Sequence, residues 1–434
     1  MAVHYLKKAT KTLESDESAT RERVADLLQQ IETGGEPVAR RLALELDRWE
    51  GETVVSRDLI EQAGGSLPPT IKDDIVFARD RVRDFARWQR DSIREFEVEL
   101  IGGLTVGQRL IPVDTVGCYI PGGRYAHAAS AIMSICTARV AGVRHVIAAT
   151  PAHREHGINP AILYAMDIAG VDIILALGGV QAIGALAFGL FSGRPADMVV
   201  GPGNRYVAEA KRLLFGRVGI DVIAGPTESM IIADETADPA LVAADLAGQA
   251  EHGPDSPVWL VSLSRALADA VLAEIPAVID ALPALARDAA GAAWRDHGEV
   301  ILVDDREEAC QLADRYAPEH LQVQVTDPDW WLGRLHNYGS LFLGEETTVA
   351  YGDKCAGPNH ILPTRGAARY SGGLSASKFI KLVTYQRMSR EANRRIAPVA
   401  ARISRLEGME GHARTADIRL EKYFPKEPFE LARS

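Results

Sequence analysis

Pro318 is followed by Glu319 and His320, a carboxylate and an imidazole side by side at the mouth of an apolar run, Leu321 to Val325. Proline fixes its own φ and biases Ala317 away from helix, so the pair is expected to open an extended segment. Neighbours on a strand point to opposite faces. At a strand's entrance both can still line one cleft, one group accepting a proton and the other acting as a second base. Such a pair is usually just solvated, so its company decides the reading. Gln249-Ala250-Glu251-His252 closes a predicted helix, and its first and last residues share a helical face that could hold one metal ion. Asp353 sits in a glycine-bearing loop that ends at Asn359-His360, and His412 lies in a helical tail. Two histidines, an aspartate and a glutamine form an N/O donor set that suits zinc, although glutamine is an uncommon ligand. No local spacing shows that the four converge.

Glycine-rich turns recur at strand ends: Pro121-Gly122-Gly123, Gly178-Gly179-Val180-Gln181 and Gly201-Pro202-Gly203-Asn204, each ahead of a predicted helix. The unpaired amides of a helix N-terminus attract phosphates and other anions. None of the three is G-x-G-x-x-G, so the usual dinucleotide fingerprint is missing. Three in series along one sheet edge favour a ligand cleft at the strands' carboxyl ends.

These groups need a scaffold, and the chain supplies alternating apolar runs. Strands are expected over Val116–Ile120, His145–Ala149, Ile173–Ala176 and Met198–Val200, then Ser229–Ala233, Val258–Ser262, Val300–Val303 and Leu321–Val325. Helices are expected over Ala128–Ala141, Ile158–Ala169, Val180–Phe188, Asn204–Phe215, Pro239–Ala250, Ser264–Ile275 and Arg306–Tyr316. This alternation marks an α/β protein with two incomplete Rossmann-like parallel-sheet domains. The expected bounds are a helical N-terminal arm with the start of the α/β region over 1–110, α/β domains over 111–235 and 236–376, and a helical tail over 377–434. In the arm, a Gly34-Gly35 break separates two amphipathic helices and a longer helix runs from Thr70 to Phe96. The helical extensions read as dimer-building elements.

The 434 residues are 47% hydrophobic, enough for real cores. Lys plus Arg is 48 against 59 for Asp plus Glu, a net charge of −11, which argues against a nucleic-acid partner. A small anionic substrate needs only two or three local cations and stays possible. No secretory signal or bilayer-spanning run is visible, and the four cysteines are widely spaced, so a cytoplasmic protein is expected.

Together the motifs resemble the histidinol dehydrogenase family. The match is carried by Gln249-Ala-Glu-His252-Gly-Pro, Ala317-Pro-Glu-His-Leu321, Gly352-Asp353 through Asn359-His360-Ile-Leu-Pro-Thr364, Glu407 with His412, Tyr119-Ile-Pro-Gly-Gly, Gly178-Gly-Val-Gln181 and Gly201-Pro-Gly-Asn204. The resemblance implies a homodimer that uses zinc and NAD to oxidise a primary alcohol by four electrons to a carboxylate. It implies zinc ligands Gln249, His252 and Asp353, with His412 reaching in from the partner subunit. Glu319 and His320 would be the acid–base pair, Tyr119, Gln181 and Asn204 would contact NAD, and His360 and Glu407 would contact substrate.

The substrate-facing positions depart from the family's pattern. Thr227 replaces a serine in Gly225-Pro226-Thr227-Glu228-Ser229, Lys354 stands where an aromatic is usual, and Arg124, His127 and Arg414 flank family motifs. Added positive charge does not suit histidinol, an ammonium, but it suits a sulfonate or phosphate. The runs Arg124-Tyr-Ala-His127, Thr347-Val-Ala-Tyr-Gly352 and Gly408 to Asp417 resemble a branch of the family that oxidises 2,3-dihydroxypropane-1-sulfonate to 3-sulfolactate. Thr227, Lys354, Arg124, His127 and Arg414 thus join the candidate substrate contacts. Histidinol itself, another primary alcohol, or zinc-dependent hydrolysis with Glu319 activating water stay open as rival readings.

Overall fold

The computed structural model describes residues 4–11, 17–122, 125–223 and 225–432. The chain divides into two compact units, Met1–Arg90 with Val113–Phe379, and Asp91–Pro112 with Ile380–Ser434.

The first unit holds two sheets. One has five parallel strands in the order Ile173–Ala176, His145–Thr150, Thr115–Tyr119, Met198–Val200, Gly219–Ile220. The other has six, ordered His4–Lys7, Glu299–Leu302, Val258–Ser262, Ser229–Ala233, His320–Gln324, Ser340–Leu343, and only the edge strand His4–Lys7 is antiparallel. Without that edge strand both sheets run third, second, first, fourth, fifth in chain order. Each therefore reverses direction between its first and fourth strands, the place where doubly wound sheets open a crevice. Ser229–Ala233 and His320–Gln324 are buried along their whole length, as strands covered on both faces must be. This is the expected α/β class with parallel sheets.

Helix boundaries follow local chemistry. Asn159 and Asp238 cap helices that begin with Pro160 and Pro239, and Asp305 caps Arg306–Tyr316. Ala317 closes that last helix in a left-handed conformation (φ 50°), and Pro318 prevents its continuation. The helical stretch Glu17–Leu42 is broken at Gly35 (φ 63°), and its Val24, Leu27, Leu28 and Ile31 bury against the helix Gly179–Phe188. That segment is thus a layer of the first α/β core.

Three expectations need correction. The helix expected to reach Phe96 stops at Asp91, and Phe96–Ile101 is a strand. The tail expected to be helical from Ser377 opens with the strand Ile380–Met388, which pairs antiparallel with Leu104–Pro112. With Phe96–Ile101 these form the three-stranded sheet of the second unit, followed by the helices Asn393–Leu406 and Glu410–Tyr423, which pack through Ala397, Ala401, Ala413 and Leu420. Asp353 lies in a short helix, Val349–Lys354, rather than a loop. No helix among the described residues is long and apolar enough to cross a membrane.

Candidate active site

The two sheets of the first unit carry the candidate residues at opposite ends of their strands. Tyr119 ends a strand of the five-stranded sheet, and Gly178 and Gly201 follow the carboxyl ends of two others. Glu228, Glu319 and His320 sit at the amino ends of Ser229–Ala233 and His320–Gln324 in the other. Parallel pairing sets His320 beside Ser229 on one side and Ser340 on the other.

That register ties the acid–base candidates to Glu228. Its carbonyl accepts from the His320 backbone N–H (3.1 Å) and ring Nδ1 (3.2 Å), and its own N–H donates to Glu319 Oε2 (3.0 Å). A carbonyl can only accept, so Nδ1 carries a proton, and in the neutral imidazole Nε2 is the nitrogen with the lone pair. Nε2 is buried without a hydrogen-bond partner and lies 3.4 Å from Asp353 Oδ1. Nδ1 lies 3.6 Å from Glu319 Oε2. Burial works to lower the His320 pKa, but the carboxylates of Glu319 and Asp353 outweigh it and carry the imidazole up to about 9. Burial also pushes Glu319 up to about 8 against the attraction of His320, and Glu228 up to about 7 against the Arg365 N–H.

The donor set fits a zinc ion. His252 Nε2 lies 4.0 Å from Asp353 Oδ2, and buried Gln249 leaves its Oε1 without a partner. Both are atoms a cation would satisfy. Burial lowers His252 to about 4 despite Asp353, which keeps the imidazole neutral as a ligand must be. Burial works to raise the Asp353 pKa, but the His320 imidazole beside it outweighs that and holds the carboxyl well below the usual carboxylate range. His412 lies exposed on the Glu410–Tyr423 helix of the second unit. A separate trio, His153, Glu155 and His156, brings ligating atoms within 4.8 Å but is exposed.

His252 lines two cavities. One of about 540 Å³ also takes in Gly203, Asn204, Gly225, Pro226 and Arg365. The other, about 660 Å³, is lined by Tyr125, His127, Glu251, Lys354, Cys355 and His360. In the larger cavity burial holds His127 down at about 4, with His360 and Lys354 adding to the effect. Its imidazole is therefore a neutral hydrogen-bonding group, and Lys354 is the lining cation among the described residues. His360 is locked, with Nδ1 donating to the Asp353 carbonyl and Nε2 accepting from Ser130 Oγ, both at 2.8 Å. Thr227 is half-buried beside Glu228.

The remaining candidates are scattered. Asn204 caps the helix Arg205–Leu214 at the smaller cavity, whereas Tyr119 and Gln181 are buried at the start of the helix Gly179–Phe188. There Tyr119 Oη accepts from Gly179 N (3.3 Å), and Gln181 Nε2 donates to Asp47 Oδ2 (2.7 Å). Glu407 is exposed at a helix end of the second unit, and Arg414 there pairs with Glu410 at 3.3 Å. Arg124 lies outside the described residues. Sequence reasoning missed Asp47, Ser130 and the anchoring part of Glu228, whose partners lie far along the chain. The Tyr125 hydroxyl, donating to the Glu251 carbonyl (3.2 Å), was missed for the same reason.

Parallel α/β sheets here carry a buried imidazole beside an N/O donor set. The chain belongs to the histidinol dehydrogenase family, which it matches over residues 10–420. It is 56% identical over 431 residues, 99% of each chain, to the sulfopropanediol 3-dehydrogenase of Ruegeria pomeroyi. It is 42% identical over 398 residues to the histidinol dehydrogenase of Thermus thermophilus, 91% of this chain and 93% of that one. The crystal structure of histidinol dehydrogenase from Elizabethkingia anophelis superposes with a TM-score of 0.89 at 30% identity, covering 96% of this chain and 94% of that one. The protein is an oxidoreductase of the alcohol dehydrogenase type.

Proposed function

We propose that the protein oxidises the primary alcohol of 2,3-dihydroxypropane-1-sulfonate to 3-sulfolactate in two NAD-dependent rounds at a zinc site. The observation that carries this reading is the unpartnered, buried His320 Nε2, 3.4 Å from Asp353 and close to a cavity whose lining cation is Lys354. Gln249, His252 and Asp353 would hold zinc, with His412 of the partner subunit as a fourth ligand in a homodimer. Zinc there would acidify the alcohol and share the charge of Asp353, and NAD would take up hydride in each round.

With the Asp353 charge shared in this way His320 would be neutral, and it accepts the hydroxyl proton at Nε2. Its Nδ1–H stays on the Glu228 carbonyl, so the ring keeps its orientation as it becomes cationic, and Glu319 beside it stabilises that charge. The aldehyde of the first round needs water before a second hydride can leave. Glu319, its pKa lifted to about 8 by burial, is poised to accept that water's proton near neutral pH. The overall change consumes alcohol, water and two NAD, and yields carboxylate, two NADH and three protons. Tyr119, Gln181 and Asn204 are the proposed NAD contacts. Lys354 is the proposed sulfonate partner, with His127, His360 and Thr227 shaping the pocket. Arg124, Glu407 and Arg414 are proposed to complete it. A compartment rich in NAD, the cytoplasm, suits this chemistry.

The test is to supply the zinc-loaded protein and NAD with 2,3-dihydroxypropane-1-sulfonate or L-histidinol. Two NADH per sulfonate consumed, with slower turnover of histidinol, supports the proposal. Preference for histidinol, or no NADH from either alcohol, refutes it.

A further inference from the structure

Beneath the glycine turn at the smaller cavity lies an ion pair that no step above uses. Lys211 and Asp221 are 2% and 5% exposed, and Lys211 is the largest fully buried side chain among the described residues. Burying two charges is costly, and an apolar pair of similar volume would be about as stable or more so. Stability alone is therefore a poor reason for the pair. Its contacts supply a better one. Lys211 Nζ donates to the Gly201 carbonyl (2.9 Å) and to Asp221 Oδ1, while the Gly201 N–H donates to Asp221 Oδ2 (2.7 Å). Both polar groups of one glycine are thus held by the two members of one ion pair.

Gly201 needs that hold. Its φ of 115° is open only to glycine, and a Cβ there would lie 2.0 Å from the Tyr119 carbonyl oxygen. The chain then turns through Pro202 to Gly203 and Asn204, which line the cavity, and Asn204 Oδ1 caps the helix carrying Lys211 by accepting from Tyr206 N and Val207 N (3.0 and 3.1 Å). The loop closes on itself: turn, cap, helix, lysine, turn.

We propose that Lys211 and Asp221 are positioning residues for cofactor binding, fixing the Gly201 peptide and so the Gly203-Asn204 face presented to NAD. This rests on the reading that NAD occupies that cavity. A geometric clamp and a purely structural pair differ in one respect, because an apolar replacement can restore folding but cannot hold the glycine.

The test compares the parent with the double variant Lys211→Met/Asp221→Leu, both zinc-loaded, in thermal unfolding, NAD titration and steady-state kinetics. The clamp predicts an unfolding midpoint near the parent's. It also predicts a rise of about tenfold in Kd and KM for NAD, with KM for 2,3-dihydroxypropane-1-sulfonate little changed. A folded double variant that binds NAD as tightly as the parent overturns the clamp. Should the double variant not fold, Asp221→Asn is read the same way: KM for NAD rising more than KM for the alcohol supports the clamp, and equal or absent changes overturn it. A parent protein that binds no NAD at all overturns the cofactor reading instead.

Discussion

The backbone carbonyl of Glu228 holds His320 at two points, its peptide N–H at 3.1 Å and its ring Nδ1 at 3.2 Å. The imidazole's orientation is thereby set from the neighbouring strand's backbone rather than by another side chain. His320→Gln removes the imidazole but leaves the peptide bond in place. We expect kcat to fall by about 10²–10⁴ with zinc content and the alcohol KM near the parent's. Stopped-flow NADH absorbance and metal analysis check this, and a loss below tenfold removes His320 as the base.

Glu319 serves the second round in the proposed sequence. Glu319→Gln should therefore let aldehyde escape, lowering the yield from two NADH per alcohol toward one. Trapping the aldehyde with a hydrazine and counting NADH decides it; an undiminished yield of two assigns the water to another group.

Lys354 is expected to act through charge. A charge-assisted hydrogen bond contributes roughly 1.5–3 kcal/mol, so Lys354→Met should raise KM for the sulfonate diol about 10- to 100-fold while kcat survives. Histidinol, a cation, should be handled no worse by this variant. Comparing the two substrates on the same preparation shows whether the effect is electrostatic.

Glu228 makes a signed pH prediction. Burial lifts its carboxyl from 4.5 to about 7, so folding favours the protonated form. That contribution is complete below about 4.5 and is lost as pH rises through 7, at most about 3 kcal/mol. Glu228→Gln mimics the protonated acid and keeps an acceptor for the Arg365 N–H. The variant should melt near the parent at pH 5 and above it at pH 8. Equal melting at both values would show that Glu228 is not held neutral.

Removing a proposed zinc ligand should cost metal before it costs fold. His252→Ala should lose most bound zinc, and added zinc should no longer raise its melting temperature, whereas the parent should gain about 2.7 kcal/mol at a hundredfold excess over Kd. Metal analysis after dialysis and calorimetry read both effects.

Much of the scaffold was legible because its signals are local. Ala128–Ala141, Pro239–Ala250 and Arg306–Tyr316 have the bounds expected from sequence, marked by Gly142, by Asp238 with Pro239, and by Asp305 with Pro318. Where a partner lies far away, the reading failed. The strand Ile380–Met388 finds Leu104–Pro112, its paired residues lying 268 to 284 positions upstream, and without that partner its residues read as helix. Phe96, Val98 and Leu100 alternate at a period of two, a signal overrun by the helix before them. The same divide runs through the site. Glu319, His320, Asp353 and His252 stand out by residue type, and the fold links each to the next at 3.6, 3.4 and 4.0 Å. Ser130, which fixes His360 from 230 positions away, carries no mark of its own.

His252 faces two chambers at once, one beside the Gly203-Asn204 turn and one beside Lys354. With cofactor and substrate seated as proposed, a side chain shared in this way lets the occupant of one room be replaced while its neighbour stays seated. Any chemistry that draws two successive electron carriers through a site around a single organic molecule requires that freedom.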